Sequence, residues 1–153
     1  MEPELRAIAA DDAAEIEAVV RLWRRAREDA QPGLEARLGH TPADDQAFFR
    51  GTVLADCEVT VAVADGAPAG FLARRDDLVE HLYVEPARQG EGIGSRLLAL
   101  AQQRSPAGLR LFTHRRNLGA RGFYERRGFR IVRFGVSPAP ESEPDVLYRL
   151  AAS

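Results

Sequence analysis

The chain has 153 residues, 45% of them hydrophobic and 29% charged, with a formal net charge of −2 and a single cysteine. That balance excludes a disordered chain and a disulfide-stapled scaffold, and the length predicts one domain over 1–153. No apolar run reaches about 18 residues, the acidic start Met1-Glu2-Pro3-Glu4 carries no secretory signal, and the lone Cys57 points to a reducing compartment, so a cytoplasmic protein is expected.

Leu5-Arg6-Ala7-Ile8 alternates as a short strand. Asp11-Asp12 opens a helix, with Glu15 at capping-box spacing from Asp12 and an apolar stripe of Ile16, Val19, Val20 and Trp23. Gln31-Pro32-Gly33 marks a loop. Thr41-Pro42-Ala43-Asp44 starts a second helix, Thr41 capping, Pro42 at the first helical position and Asp44-Asp45 at the positive end. Phe48, Phe49, Val53 and Leu54 ride on it. Val59–Val63 and Ala69–Arg74 are predicted strands of an antiparallel hairpin through Asp65-Gly66, with Ala67-Pro68 lengthening the turn. Leu78–Val84 is the next strand, ended by Glu85-Pro86.

A glycine turn, Gln89-Gly90-Glu91-Gly92-Ile93-Gly94, runs into a helix carrying Ile93, Leu97, Leu98, Leu100 and Ala101, which Pro106-Ala107-Gly108 breaks. Leu109–Thr113 is a strand. Asn117 caps a short helix with Ala120, Phe123 and Tyr124, and Gly128 sits where a left-handed cap belongs. Phe129–Phe134 and Val146–Leu150 are the last strands, and Pro138, Pro140 and Pro144 keep the segment between them a loop. The order β-α-α-β-β-β-α-β-α-β-β gives one α/β (α+β) domain around a mixed sheet.

Strand, glycine turn, helix is a device for holding phosphate. The first amides of a helix lack internal partners, the dipole adds positive charge there, and glycines let the backbone approach an anion. Residues Gln89 to Ser95 therefore read as a pyrophosphate cradle, or more blandly as a tight turn without ligand. A Walker loop needs a lysine, and all 21 basic residues are arginine. A dinucleotide fingerprint belongs after the first strand of a parallel unit, and Gly90, Gly92 and Gly94 follow a later one. Charge is balanced along the chain, so nucleic acid is not an expected partner, and without an apolar run of spanning length neither is a membrane.

Gln89-x-x-Gly92-x-Gly94 resembles the acyl-CoA motif of the GCN5-related N-acetyltransferase (GNAT) superfamily, Gln/Arg-x-x-Gly-x-Gly/Ala. The lead-in Leu82-Tyr83-Val84-Glu85-Pro86 is similar to that family's fourth strand and its exit. Asn117-x-x-Ala120-x-x-Phe123-Tyr124-x-x-x-Gly128-Phe129 resembles its second signature. The likeness runs in element order from about residue 5 to 150, and its specific part is 78–129. It implies a mixed, mostly antiparallel sheet of about six or seven strands flanked by about four helices, with the fourth and fifth strands splayed.

The resemblance further implies acetyl-CoA as acyl donor, its pyrophosphate on the amides of Gln89, Gly90, Glu91, Gly92, Ile93, Gly94 and Ser95. Backbone groups of Leu82 and Val84, with Tyr83 between them, would line the pantetheine arm, and the Val84 amide would face the thioester carbonyl. Asn117 and Phe123 match positions beside the same gap; Asn117 can equally be a plain helix cap. Tyr124 matches the general acid that protonates the departing thiolate, and the bland alternative is an aromatic packed beside Phe123.

An alkyl amine of pKa near 10.4 is neutral only about once in 2,500 molecules at pH 7, so deprotonation costs about 4.6 kcal/mol. Glu80 is the candidate base. It is expected to share a strand face with Leu82 and Val84, where an apolar setting would raise its pKa. The alternative for Glu80 is a paired structural carboxylate. His81 is expected on the opposite face, solvated or in the core. His40, His81 and His114 lack metal-ligand spacing, so no metal is expected, and Cys57 reads as packing.

The acceptor side is expected to combine Trp23, Arg27, His40, Phe48 and Phe49 with Ser142, Glu143, Asp145 and Tyr148. There the acidic stretch Glu141-Ser142-Glu143-Pro144-Asp145 either recruits a cationic amine or is a soluble loop. Arg115, Arg116, Arg121, Arg126, Arg127, Arg130 and Arg133 make a solvated face or lend one or two contacts to a phosphate. The expected activity is acetyl transfer from acetyl-CoA to a primary amine of a small molecule or peptide by direct attack, with no covalent enzyme intermediate. The alternative from another class is a non-catalytic acyl-CoA-binding sensor or partner module. Homodimers are common in the family, and no segment here marks an interface.

Overall fold

The computed structural model describes residues 2–152. β1 (Glu4–Ala7) leads into α1 (Ala13–Ala30), which Asp12 caps by accepting from the Glu15 amide at 3.1 Å. Glu15 does not complete a capping box. Its carboxylate accepts from the Ala9 amide at 2.8 Å and pairs with Arg6 at 2.5 Å, tying α1 back to β1. Ile16, Val19, Val20 and Trp23 are buried, as their spacing requires.

A short helix, α2 (Leu34–Leu38), follows the 31–33 turn where none was expected; five residues are too few for a periodic pattern to show. α3 (Pro42–Phe48) carries the full Thr41–Asp44 capping box, and a π-type turn over Phe49–Val53 continues it into α4 (Leu54–Asp56). The wider turn buries Phe49 and Val53 and leaves Phe48 45% exposed.

β2 (Glu58–Ala64) and β3 (Ala67–Arg75) form the expected hairpin with a tighter turn than expected. Asp65 and Gly66 take φ of 52° and 79°, the pair of positive values a two-residue turn needs, so Ala67 and Pro68 already belong to β3. β4 (Leu78–Val84), α5 (Ile93–Arg104), β5 (Gly108–His114), α6 (Leu118–Arg126), β6 (Arg130–Val136) and β7 (Pro144–Ala151) complete the chain. Pro144 opens β7 instead of ending the loop; the first residue of a strand is a place where proline is tolerated.

One seven-stranded sheet runs in the order β1-β2-β3-β4-β5-β7-β6. Every neighbouring pair is antiparallel except β4 and β5. Alternation divides the core into two layers. One side joins α1, Phe49 and Val53 to Val59, Val61, Phe71 and Ala73. The other packs α5 and Tyr124 of α6 on Leu72, Leu109, Leu111, Val146 and Tyr148. Among the described residues no helix is long and apolar enough to cross a membrane.

Candidate active site

The parallel pairing of β4 with β5 is confined to Leu78↔Arg110 and Val79↔Leu111. Beyond those two rungs the strands part. The amide of Glu85, just past β4, donates to the Ala69 carbonyl at 2.8 Å. Successive strand amides point to opposite edges, so the Val84 and Leu82 amides face away from β3 and into the gap. Leu82, Tyr83 and Val84 line a cleft of about 680 Å³ that runs from this gap to the start of α5.

The mouth of the cleft is the glycine turn. Gly90 and Gly92 hold φ of 85° and 87°, left-handed values that admit glycine readily, and Gly92 is the N-cap of α5 with no side-chain cap bond. Among the described residues the amides of Gly90, Glu91, Gly92, Ile93, Gly94 and Ser95 have no protein partner, since the first helical bond is from Arg96 to Gly92. The cradle is therefore six amides, not seven: the Gln89 amide donates to Pro86 at 3.3 Å, within a 3-10 turn. Gln89, Gly90, Gly92, Ile93, Gly94 and Ser95 all border the cleft. Such a run suits an anion with several oxygens, and a diphosphate fits it.

Across the cleft stands α6. Asn117 caps it by accepting from the Ala120 amide at 3.1 Å, and its place leaves it bordering both the cleft and the gap. Phe123 forms part of the wall, with the Arg127 guanidinium 3.7 Å over its ring. Arg127 Nη2 donates to Ser95 Oγ at 2.6 Å, which fixes a cation beside the cradle. Arg88 and Arg126 reach the same cleft.

Tyr124 is buried and lines both the cleft and the gap. Its hydroxyl has no protein hydrogen-bond partner among the described residues. Burial, reinforced by the neighbouring Tyr83, pushes its pKa well above the ordinary tyrosine value, so it holds its proton at neutral pH.

Glu80 is not where alternation would put it. The β3–β4 register moves from Ala73↔His81 to Arg74↔Val79, leaving Glu80 unpaired in a bulge. Val79 joins the core layer of Leu82 and Val84, and Glu80 falls out of that face. Its carboxylate pairs with Arg75 at 2.9 Å with the side chain 31% exposed, a setting unlike the expected apolar one. It is nonetheless the one carboxylate among the described residues that borders the gap, with His81, Phe112 and Thr113 as neighbours there. His81 packs at 5.3 Å from the Trp23 ring, and burial lowers its pKa to about 4, so it is neutral at pH 7.

Most of the expected acceptor set is engaged in holding the fold. Trp23 and Phe49 are core. Arg27 pairs with Glu35 at 2.9 Å and Asp45 at 2.6 Å. His40 lies 3.6 Å from Glu35. Tyr148 is buried on the far layer, where its hydroxyl donates to Glu125 at 2.5 Å. The acidic stretch is likewise tied down: Glu143 pairs with Arg37 at 2.5 Å, and Glu141 meets His114 Nε2 at 2.5 Å. His114 Nδ1 reaches Gln31 at 2.8 Å, joining the end of α1 to the β6–β7 loop. Ala26 of α1 borders the cleft and Phe112 of β5 the gap, although neither falls in a motif; the alternation of β5 puts Phe112 on the face opposite to Leu111.

A family model described as "Acetyltransferase (GNAT) domain" matches residues 55–131. The chain is 32% identical over 80 residues to the peptidyl-lysine N-acetyltransferase YjaB of Salmonella typhimurium, a match spanning 52% of this chain and 54% of that protein, about half of each. It is 29% identical over 119 residues to the peptidyl-lysine N-acetyltransferase YiaC of Escherichia coli, covering 77% and 79%. In fold it is similar to the solution structure of apo YjaB from Escherichia coli, with a TM-score of 0.82, 22% identity and full coverage of both chains.

Proposed function

The chain belongs to the GNAT acetyltransferase family, and on that premise we propose that it transfers an acetyl group from acetyl-CoA to a primary amine, with lysine side chains of polypeptides as the leading acceptor class. The observation that supports this reading is one cleft bordered both by Gly90, Gly92, Ile93, Gly94 and Ser95, whose amides are unpartnered among the described residues, and by Tyr124. The acceptor class is supported by the names of two relatives.

Acetyl-CoA supplies the activated acyl group as a thioester. The amides of Gly90 to Ser95 bind the diphosphate, helped by Arg127 on Ser95. Leu82 and Val84 offer amides to the arm in the gap, and the Val84 N–H is the donor for charge that builds on the carbonyl oxygen during attack. Tyr124 delivers its proton to the thiolate. Burial raises the Tyr124 pKa, and the same burial raises that of a thiol in the gap, so donor and acceptor shift together. Glu80 takes a proton from the incoming ammonium, directly or through water, from its place on the rim of the gap beside Arg75.

The test is thiol release from acetyl-CoA with a panel of lysine peptides and small amines. Release that depends on an amine is expected. Binding of acetyl-CoA without release would favour a sensor or partner module instead.

A further inference from the structure

Alternation places one row of three arginines across the second half of the sheet. Arg110 of β5 stands directly opposite Arg149 of β7, and Arg149 stands directly opposite Arg130 of β6. Strands lie about 4.8 Å apart, so the row spans roughly 10 Å. The next row along the same face is Phe112, Leu147 and Arg133. Leu109, Leu111, Val146 and Tyr148 point to the opposite, helix-covered face, so all four arginines share the side away from α5 and α6. Arg130, Arg133 and Arg149 are exposed and have no carboxylate partner among the described residues; Arg110 has Asp77 at 2.9 Å.

Like charges directly opposed on neighbouring strands destabilise a sheet. A chain with 23 acidic residues against 21 arginines has carboxylates enough to break such a row, yet the row stands almost unanswered. Phe112, one step along β5 from Arg110 on this face, borders the gap between β4 and β5 and is 44% exposed. The cationic row thus begins beside the opening through which an acceptor reaches the gap and leads away from it. The cradle amides and Arg127 already answer the phosphates of a donor elsewhere, in the cleft toward α5.

We infer that the face of Arg110, Arg149, Arg130 and Arg133 docks an acidic segment of the acceptor polypeptide, with its lysine entering beside Phe112. This rests on the acetyltransferase reading above and names the substrate class for the same site. The partner is a polypeptide because the gap takes an amine, and acidic because the row offers only donors of positive charge.

Two labelled peptides with one lysine each, one flanked by glutamates and one by glutamines, separate the outcomes by fluorescence anisotropy. The acidic peptide is expected to bind about tenfold tighter to the intact protein at low salt, as two exposed ion pairs would give. Salt at about 0.5 M should erase the difference. Arg130→Gln with Arg149→Gln should erase it too, while thiol release with the neutral peptide stays unchanged and Tm holds or rises by roughly a degree or two as the repulsion is relieved. Equal affinities for the two peptides, a preference kept by the double variant, or tighter binding of a labelled single-stranded oligonucleotide by the same arginines would overturn the inference. Loss of all thiol release with the binding preference intact would sink the acetyltransferase reading and leave the docking face standing.

Discussion

Gly94 faces Phe123 across the cleft with no room for a side chain: a Cβ built on Gly94 would lie 3.3 Å from Phe123 Cζ and 3.6 Å from Val84 Cγ2. The two sequence motifs therefore meet at a point where only a hydrogen fits comfortably. Gly92 is different, since an added Cβ meets nothing within 4 Å, and its constraint is the φ of 87°. Gly92→Val should weaken acetyl-CoA binding by about tenfold, because a left-handed backbone costs an L-residue about 1–2 kcal/mol and the amides it aims would drift. Gly94→Val should weaken binding at least as much by wedging Phe123 aside. Titration calorimetry with acetyl-CoA checks both, and unaltered affinity in Gly92→Val would remove the turn from the binding site.

Tyr124→Phe removes a hydroxyl with no protein partner, so the fold should lose little. Turnover should fall by roughly 100-fold, within the usual range for a lost general acid, with the dissociation constant of acetyl-CoA unchanged. Steady-state thiol release and calorimetry on the same preparation make the comparison. A variant turning over at the parent rate would show that water, not Tyr124, protonates the thiolate.

The strands, the glycine turn and α6 are legible in the sequence because each rests on short-range rules. Leu78–Val84 matches its prediction end to end, and Asn117 and Thr41 cap the helices they were expected to cap. What failed depends on contacts between elements distant in sequence. The bulge that displaces Glu80 exists only in the register of β3 against β4, so counting by two along β4 alone put its side chain on the wrong face. The acidic stretch 141–145 looked free because Arg37 and His114, which hold it, come from distant elements. The arginine row is invisible for the same reason: Arg110, Arg130 and Arg149 are scattered in sequence and meet only through the β5-β7-β6 order.

Glu80→Gln tests the proton acceptor. At pH 7 it should lower turnover of a lysine peptide by roughly 10- to 100-fold, and the deficit should shrink as pH approaches 10, where the amine sheds its own proton. An α-amine, with a pKa near 8, should be less sensitive to the change. Arg75→Gln serves as control: it breaks the ion pair and leaves the carboxylate at the rim of the gap. A deficit in Glu80→Gln that is constant from pH 7 to 10 would point to a structural role for the pair.

His114 ties the β6–β7 loop to the end of α1, and its charge state should set how firmly. The hydrogen bond to Glu141 raises the His114 pKa above 6.5, with Glu143 and Asp145 adding to it, while His114 holds Glu141 below its ordinary 4.5. A raised histidine contributes stability that is complete below about pH 6.5 and is lost as pH rises through the folded value. The lowered carboxylate contributes above about pH 4.5 and loses it as pH falls through its own folded value. The latch is therefore strongest at mildly acidic pH and loosens above neutrality. His114→Ala should lower Tm by about 2–4 °C at pH 6, as expected for a half-buried pair worth roughly 1 kcal/mol, and by less at pH 9. Hydrogen exchange across residues 137–143 should quicken between those two pH values in the parent, after correction for intrinsic rates, and not in His114→Ala. Equal pH dependence in both proteins would place the titration elsewhere.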